Sequence, residues 1–283
     1  MRQGKKRMPI AIAIGVDPSL SVCSTAKIPF NLDEYDVASA IRGEPFPTVK
    51  AKLSDLQVPA TAEFILEGYI DGEEEELEGP FGEYVGYMGL PGPKRVIHVE
   101  LMTHRKDPIY QAFLSQMPPS ESLVLQQNPF GAIMYKHLKY DLGYENVKDV
   151  HFTDASGKVH VVIQMKPRYP GDSKKILQIA SGLLDCNGGK WVTVVDEDID
   201  IRDPFLVEWA IASRVDPVKD VIIIDGTETT MLDPATTLFI ESDGTSRTLS
   251  EWLTGSKLLI DATIKRTYPE ISLPPKDYMY RAL

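Results

Sequence analysis

The sequence predicts a mixed α/β fold (α+β in two parts), in which a β-rich first part precedes a layered α/β domain. Residues 1–112 contain short strand-like segments separated by proline and glycine, a pattern typical of a barrel or a strongly curved sheet. Beyond them, apolar strands alternate with helical segments, which indicates a layered domain with a largely parallel sheet. We place the boundary near residues 108–118 and assign residues 113–283 to the second domain.

The first domain is predicted to be mostly strands, with one short helix. Each strand is identified by its apolar character or by alternation of apolar and polar residues. The predicted strands are MPIAIAIG from Met8, TVKAKLSDL from Thr48, EFILEGYID from Glu63 and VIHVELMTHR from Val96. DEYDVASAIRG, from Asp33 to Gly43, predicts the helix, and the like-charged block Glu73–Glu76 predicts a solvated loop.

In the second domain helical and strand patterns follow one another. A helix is predicted from Ser120 to Gly143, with a break or kink at Asn128-Pro129 because proline cannot donate a backbone hydrogen bond. The later predicted elements are a strand from Val159, a helix from Asp172, a strand from Trp191, a helix from Asp203, a strand from Asp220 and a strand from Lys257. DVIIID, at Asp220, is continuously apolar and is expected to be buried on both faces.

Composition excludes several classes of protein. A net charge of −11 opposes binding to nucleic acid or to an anionic membrane. No apolar run approaches the ~20 residues of a membrane-spanning helix. Cys23 and Cys186 are too few for a disulfide framework, so we expect a reducing, cytoplasmic location.

The stretch EGPFGE places Glu78 and Glu83 five residues apart, around two glycines and a proline. On a strand the two side chains would point to opposite faces, ~16 Å apart, and on a helix they would not share a face. A tight, rigid loop could aim both carboxylates into one site, whereas a plain turn would leave both facing water, and the spacing favours neither. Inside an apolar cavity, desolvation and mutual repulsion would raise at least one pKa, which suits a proton donor near neutral pH.

A second acidic group follows the predicted strand from Trp191 and comprises Asp196, Glu197, Asp198 and Asp200. This position is usual for a Mg²⁺ or phosphate site in α/β folds. However, the sequence has no glycine-rich phosphate-binding loop, which favours acids that cover the rim of the sheet and cap the next helix. HExxH and GxSxG are also absent, so a zinc protease or a serine hydrolase has no support.

Taken together and in order, several segments resemble the UbiD family of decarboxylases, which use prenylated flavin mononucleotide (prenylated FMN). They are MPIAIAIGVDP, LDEYDVASAIRG, VPATAEFILEGYI, EGPFGEYVGY, VVDEDIDIRDPFLVEWAIASRVDP and GSKLLIDAT. The resemblance covers nearly the whole chain. It implies that residues 1–112 are the second part of a split β-barrel of the flavin-reductase type, and that the α/β domain lines the substrate pocket and mediates association.

The resemblance also implies roles for individual residues. Glu83 corresponds to the acid that protonates the substrate carbon after CO₂ leaves, and Glu78 to its partner, which holds an arginine. Glu34 corresponds to the ligand of a divalent metal, Mn²⁺ or Mg²⁺, that bridges to the flavin phosphate. The same glutamate and the loop comprising Cys23, Ser24, Thr25 and Ala26 correspond to a K⁺ site. Gln126 and Met231 correspond to residues that line the substrate pocket.

Family members carry a long N-terminal portion before the point where this chain starts, and it holds the asparagine and histidine metal ligands and the arginine. We therefore expect this chain to need a flavin-binding N-terminal portion or subunit, to be inactive alone, and to form a homo-oligomer, a dimer or a hexamer. The expected substrate is an α,β-unsaturated or aromatic carboxylic acid, in a reversible reaction. Two alternatives are a non-catalytic assembly subunit of such a complex and a Mg²⁺-dependent phosphate enzyme that uses Asp196–Asp200.

Overall fold

The computed structural model describes residues 7–183, 189–229, 232–235, 239–240, 246–247, 254–266 and 272. Its first part is built on a three-stranded antiparallel sheet with the strand order β1-β4-β5. The strands are β1 (Arg7–Ile14), β4 (Phe64–Glu78) and β5 (Gly92–His104). A separate pair, β2 (Thr48–Lys50) and β3 (Gln57–Pro59), packs beside this sheet, so the predicted strand from Thr48 is much shorter than expected.

Two short helices connect β1 to this strand pair. Helix α1 (Pro18–Thr25) begins at Asp17, whose carboxylate accepts a hydrogen bond from the Ser19 amide at 2.9 Å. Helix α2 (Glu34–Arg42) lies where the sequence predicts a helix. Asp33 caps its first turn, and Gly43 ends it with a φ of 76°, a conformation that glycine adopts without steric cost.

The second part contains a five-stranded mixed sheet with the order β6-β7-β8-β12-β9. Strands β7, β8 and β12 are parallel, and β6 and β9 pair with them antiparallel. The strands are β6 (Val147–Phe152), β7 (His160–Met165), β8 (Trp191–Asp196), β9 (Val221–Glu228) and β12 (Thr254–Ala262); β10 (Phe239–Ile240) and β11 (Ser246–Arg247) form a small separate pair.

Helices cover both faces of this sheet. The helices are α3 (Glu121–Lys136), which continues into a π-helical turn (His137–Asp141), α4 (Asp172–Leu183), α5 (Pro204–Arg214) and α6 (Pro217–Asp220). Alternate residues of each strand pack on opposite helices: Val192 and Val194 contact the core beneath α3 and α4, whereas Val195 contacts the core beneath α5. The central strands are therefore buried on both faces, as expected of parallel strands. No helix among the described residues is long and apolar enough to cross a membrane.

Several local expectations are wrong. Glu73–Glu76 are exposed but belong to β4, where Glu75 and Glu76 pair in register with Arg95 and Lys94 of β5, so cross-strand cations offset the repulsion. Strand β9 is the edge strand of the sheet in the described residues, and Ile223 is 71% exposed.

The predicted break at Asn128-Pro129 is also wrong, because α3 runs through Pro129. The larger difference concerns the barrel. The described residues contain several open sheets and no closed barrel, so the split-barrel detail of the predicted first domain stays a prediction, whereas the mixed α/β class is confirmed.

Candidate active site

The segment that carries Glu78 and Glu83 forms a closed turn at the end of the first sheet. Strand β4 ends at Glu78, and the Gly79–Pro80 peptide that follows is cis. The Glu83 amide donates to the Tyr87 carbonyl at 2.9 Å, and the Gly89 amide donates to the Phe81 carbonyl at 2.8 Å. Residues 79–91 therefore form a small hairpin, which we call the donor loop.

Glu78, at the end of β4, and Glu83, in the donor loop, have different surroundings. Glu78 is exposed, whereas Glu83 is partly buried, and its side chain lies against Gly89. A Cβ atom on Gly89 would be 3.4 Å from Oε1 of Glu83, so glycine at this position leaves room for the carboxyl group.

The electrostatics of Glu83 suit a proton donor. Burial raises the pKa of Glu83 above its ordinary value of 4.5, a backbone hydrogen bond from Tyr84 lowers it, and the negative charge of Glu78 raises it again. Glu78 is therefore close enough to influence Glu83, and desolvation is the largest cause. A carboxyl group with a raised pKa keeps its proton at a higher pH and can donate it there.

Glycines hold the donor loop against the segments on either side of it. A Cβ atom on Gly82 would lie 2.2 Å from the Ser115 carbonyl oxygen, so the loop backbone contacts the linker before α3 directly. A Cβ atom on Gly157 would lie 3.0 Å from Cα of Val85. The donor loop therefore packs against both the linker and a turn of the second part.

The residues assigned to the cation sites lie where α1 ends and α2 begins. Cys23, Ser24 and Thr25 belong to the last turn of α1 and Ala26 is its C-cap, so the predicted loop is in fact a helix end. Cys23 is buried, and its thiol pKa is raised by burial and then by the charge of Glu34, which places Glu34 close to this helix end.

This donor set fits a hard cation only in part. The Glu34 carboxylate is exposed at the first turn of α2, and oxygen ligands of this kind suit Mg²⁺, Mn²⁺ or K⁺. However, in the part of the chain that the structure describes, no three His, Cys, Asp or Glu side chains are grouped so that they could hold a metal ion. Any metal bound at Glu34 would therefore need ligands from elsewhere.

Contacts of helix α3 lead both to the residues assigned to the K⁺ site and to the donor loop. The Thr25 hydroxyl donates to the Leu125 carbonyl at 2.8 Å, and the next residue, Gln126, accepts a hydrogen bond from Lys158 at 2.9 Å. Lys158 in turn lies 5.0 Å from the centroid of the Tyr84 ring in the donor loop. Consecutive residues of α3 therefore contact Thr25 directly and the donor loop through Lys158. Gln126 is partly buried there, and Met231 lies outside the described residues.

The second acidic group is engaged within the fold. Arg214 contacts Asp196 at 3.3 Å and Asp198 at 2.6 Å, and the Asp200 carboxylate accepts from the Arg202 amide. Asp203 caps α5, as the sequence predicts. This arrangement favours the interpretation of these acids as the rim of the sheet rather than as a phosphate site.

Lys158 and Tyr84 are residues that sequence reasoning missed. Lys158 follows Asp-Ala-Ser-Gly, a composition typical of an exposed turn, and no local pattern indicates that its side chain is buried. Tyr84 follows Glu83 directly, and its adjacency to the predicted donor is the one signal that could have pointed to it.

Comparisons with known proteins identify the family. A model of the 3-octaprenyl-4-hydroxybenzoate carboxy-lyase Rift-related domain (UbiD) matches residues 1–118, and the C-terminal domain model of the same carboxy-lyase (UbiD_C) matches residues 130–262. An uncharacterized protein of Archaeoglobus fulgidus is 36% identical over 233 residues, which are 82% of this chain and 48% of that protein.

Solved structures agree with this assignment. The UbiD-class enzyme HmfF from Pelotomaculum thermopropionicum, in complex with FMN, is 33% identical with a TM-score of 0.82, over 100% of this chain and 60% of that one. An evolved dimeric form of HmfF in complex with prenylated FMN gives 34% identity and a TM-score of 0.77, over 98% of this chain and 57% of that one. Vanillic acid decarboxylase from Sedimentibacter hydroxybenzoicus, in its open form, is 28% identical with a TM-score of 0.77, over 98% of this chain and 57% of that one.

The chain spans about half the length of the curated relative that it matches and about three fifths of the solved chains. With both family models matched in order and the same fold in UbiD-class enzymes, this chain belongs to the UbiD family of carboxy-lyases.

Proposed function

We propose that this chain is the C-terminal portion or subunit of a reversible prenylated-FMN-dependent (de)carboxylase, in which Glu83 is the proton donor. The observation that carries the proposal is the placement of Glu83: a partly buried carboxyl with a raised pKa, in a hairpin held by its own backbone. The expected substrates are aromatic or α,β-unsaturated carboxylic acids. Solved relatives include a vanillic acid decarboxylase, which supports the aromatic class.

Glu83 would deliver its proton to the substrate carbon from which CO₂ has left. Its partial burial limits competition from water and keeps the proton on the carboxyl group at a higher pH. Glu78, exposed and close enough to raise the pKa of Glu83, would assist proton retention and would be available to hold an arginine of the partner portion.

Prenylated FMN, when bound, supplies the electron sink for loss of CO₂. Phe81, Tyr87 and Met88 expose apolar surface in the same hairpin as Glu83, and such side chains suit packing against a flat ring system. Glu34 would contribute one carboxylate to Mn²⁺ or Mg²⁺ and, with Cys23, Ser24 and Ala26, oxygen atoms to K⁺. The remaining ligands would come from the flavin-binding N-terminal portion or subunit.

We infer that the working enzyme is a homo-oligomer, a dimer or a hexamer, and that this chain alone does not decarboxylate. One of the solved relatives is a dimeric form, which supports self-association as a property to test. Gln126 is proposed to line the substrate pocket because it lies on α3 beside the donor loop. Met231 is proposed for the same role from the family resemblance alone.

The test is CO₂ release by the chain combined with a flavin-loaded N-terminal portion, with Glu83→Gln as the variant. We expect kcat to fall by about 10²–10⁴-fold, the usual contribution of a general acid, with little change in KM. Glu76→Gln, which removes an exposed carboxylate from β4, the strand that leads into the donor loop, is the matched control and should keep wild-type turnover.

Wild-type turnover by a folded Glu83→Gln enzyme would contradict the assignment of the proton donor. Absence of CO₂ release with any flavin-loaded partner and any acid tried would instead favour the non-catalytic assembly role.

A further inference from the structure

Lys158 is a buried lysine in a surface turn. It follows the short 3₁₀ turn Asp154–Ser156 that links β6 to β7, and it is 2% exposed. Its φ is 68°, and among the described residues no other non-glycine residue has a positive φ. Both the left-handed backbone and the burial of an ammonium group cost free energy, so this position needs a compensating interaction.

The ammonium group contacts side chains from two parts of the fold. It donates to Oε1 of Gln126 at 2.9 Å, and it lies 4.2 Å from the Phe130 ring centroid and 5.0 Å from that of Tyr84. Gln126 and Phe130 lie one turn apart on α3, whereas Tyr84 belongs to the donor loop. A cation between two aromatic faces and an amide oxygen therefore joins α3 to the donor loop.

The backbone beside Lys158 contacts the same part of the donor loop. Gly157, with a φ of 57°, lies so close to Val85 that a Cβ atom would be 3.0 Å from Cα of Val85. Tyr84 and Val85 directly follow Glu83, and the Tyr84 side chain is 8% exposed. Lys158 and Gly157 therefore contact the two residues that adjoin Glu83 in the chain.

We propose that Lys158 is a positioning residue for Glu83, because its buried ammonium group fixes Tyr84 against α3 and so determines how deeply the Glu83 carboxyl is buried. An apolar side chain would suffice if packing alone were required, and it would avoid the desolvation of a charge. Strained and charged groups persist at buried positions where the surroundings hold them for a functional reason. The proposal rests on the proposed function of Glu83, but its test does not need catalysis.

The experiment measures the pKa of Glu83 by ¹³C NMR titration of the full chain labelled at the glutamate carboxyl carbons. The Glu83 signal is assigned as the one that disappears in Glu83→Gln. Lys158→Met keeps most of the side-chain volume and removes the charge, and Gln126→Leu removes the acceptor. Lys148→Met makes the same chemical change at an exposed lysine of β6 and is the matched control.

We expect the pKa of Glu83 to fall toward 4.5 in Lys158→Met and in Gln126→Leu, since a loosened donor loop exposes the carboxyl group. Lys148→Met should leave it at the wild-type value. The double variant should shift the pKa by less than the sum of the single shifts, because both changes break one contact.

An unchanged Glu83 pKa in folded Lys158→Met and Gln126→Leu overturns the proposal. If Lys158→Met does not fold, the shift in Gln126→Leu decides alone. Loss of CO₂ release in Glu83→Gln tests the proton donor separately, so a failure of the proposed function and a failure of Lys158 as a positioning residue give different results.

Discussion

The Glu83 carboxyl group has a raised pKa in the folded chain, chiefly because it is partly buried. Its pKa is above 4.5 in the folded chain, so the folded state binds its proton more tightly than the unfolded state does. Stability from this group is therefore fully present below the unfolded pKa and decreases as the pH rises through the folded pKa. As the pH rises above the unfolded pKa, ionisation favours the unfolded state, in which the Glu83 carboxylate is fully hydrated.

Replacing Glu83 by glutamine should therefore stabilise the chain at neutral pH. Thermal unfolding at pH 7 should give a higher Tm for Glu83→Gln, by about 2–4 °C for each kcal/mol recovered. The difference should vanish near pH 4, where the wild-type group is protonated in both states. Glu76→Gln, at an exposed position, should show no such difference, and an equal Tm of Glu83→Gln and wild type at both pH values would contradict this account.

At the residue scale, the sequence predicts those structural features that depend only on residues nearby in the chain. The helix within Asp33–Gly43 and the capped helix start at Asp203 follow from residues close together in the sequence, and the structure confirms both. The burial of Lys158 depends on Gln126 from a separate helix and on a tyrosine of the donor loop, so no local pattern could reveal it.

At the scale of elements, a hydrogen bond between α1 and α3 explains why the predicted break at Pro129 does not occur. Pro129 has no amide hydrogen, so the carbonyl of Leu125, four residues earlier, loses its partner within the helix. The Thr25 hydroxyl donates to this carbonyl at 2.8 Å, and it also lies 3.0 Å from the Val22 carbonyl of its own helix. The Leu125 carbonyl of α3 thus accepts a hydrogen bond from the C-terminal end of α1. This bond fixes α1, with the residues assigned to the K⁺ site, against α3.

Thr25→Val should destabilise the chain, because it leaves the Leu125 carbonyl without its donor. The expected loss is about 1–3 kcal/mol of the free energy of unfolding, measured by urea denaturation. Thr25→Ser keeps the hydroxyl and should lose much less. In a Pro129→Ala background residue 129 can donate to Leu125, so the cost of Thr25→Val should shrink, and equal costs in the two backgrounds would argue against this contact as the reason for the continuous helix.

At the scale of elements, local composition also fails to predict which segments form loops. The like charges of Glu73–Glu76 predict a loop because they repel one another. In the structure Arg95 and Lys94 of β5 lie opposite Glu75 and Glu76, and the local sequence does not indicate this pairing. Cys23–Ala26 were expected to form a loop by resemblance, and they form the last turn and cap of a helix. The donor loop itself was one of two open interpretations of EGPFGE, and it is compact because Gly82 and Gly89 allow close contacts.

At the scale of the whole molecule, the sequence predicts the layered α/β class but not the order of the strands. Alternating strands and helices require helices on both faces of a sheet, which the structure has. The apolar run DVIIID suggests a central strand, but β9 lies at an edge and runs antiparallel, since β12, from much later in the chain, takes the place beside β8. Strand order is a long-range property that local composition does not determine.

Both parts of the molecule leave large apolar side chains exposed, and in the second part Tyr140, Phe205, Val218 and Ile223 are more than two thirds exposed. In the first part and the linker that follows it, the side chains exposed to the same degree are Phe30, Leu77, Ile109, Tyr110 and Met117. The central strands β7 and β8 of the second part are buried beneath helices on both faces. Exposed apolar side chains in such numbers suit contact with another protein surface, which here is the proposed flavin-binding portion.

The proposed contact predicts the outcome of hydrogen exchange with and without that portion. Amides of β7 and β8 should exchange slowly in the chain alone and should change little when the flavin-binding portion is added, because their protection comes from the sheet and its helices. Peptides covering residues 26–32, 79–91 and 105–118 should gain protection, since the partner would cover their exposed apolar side chains. A partner that restores CO₂ release while protecting only peptides of the second part would place the interface elsewhere and would separate the donor loop from the proposed flavin site.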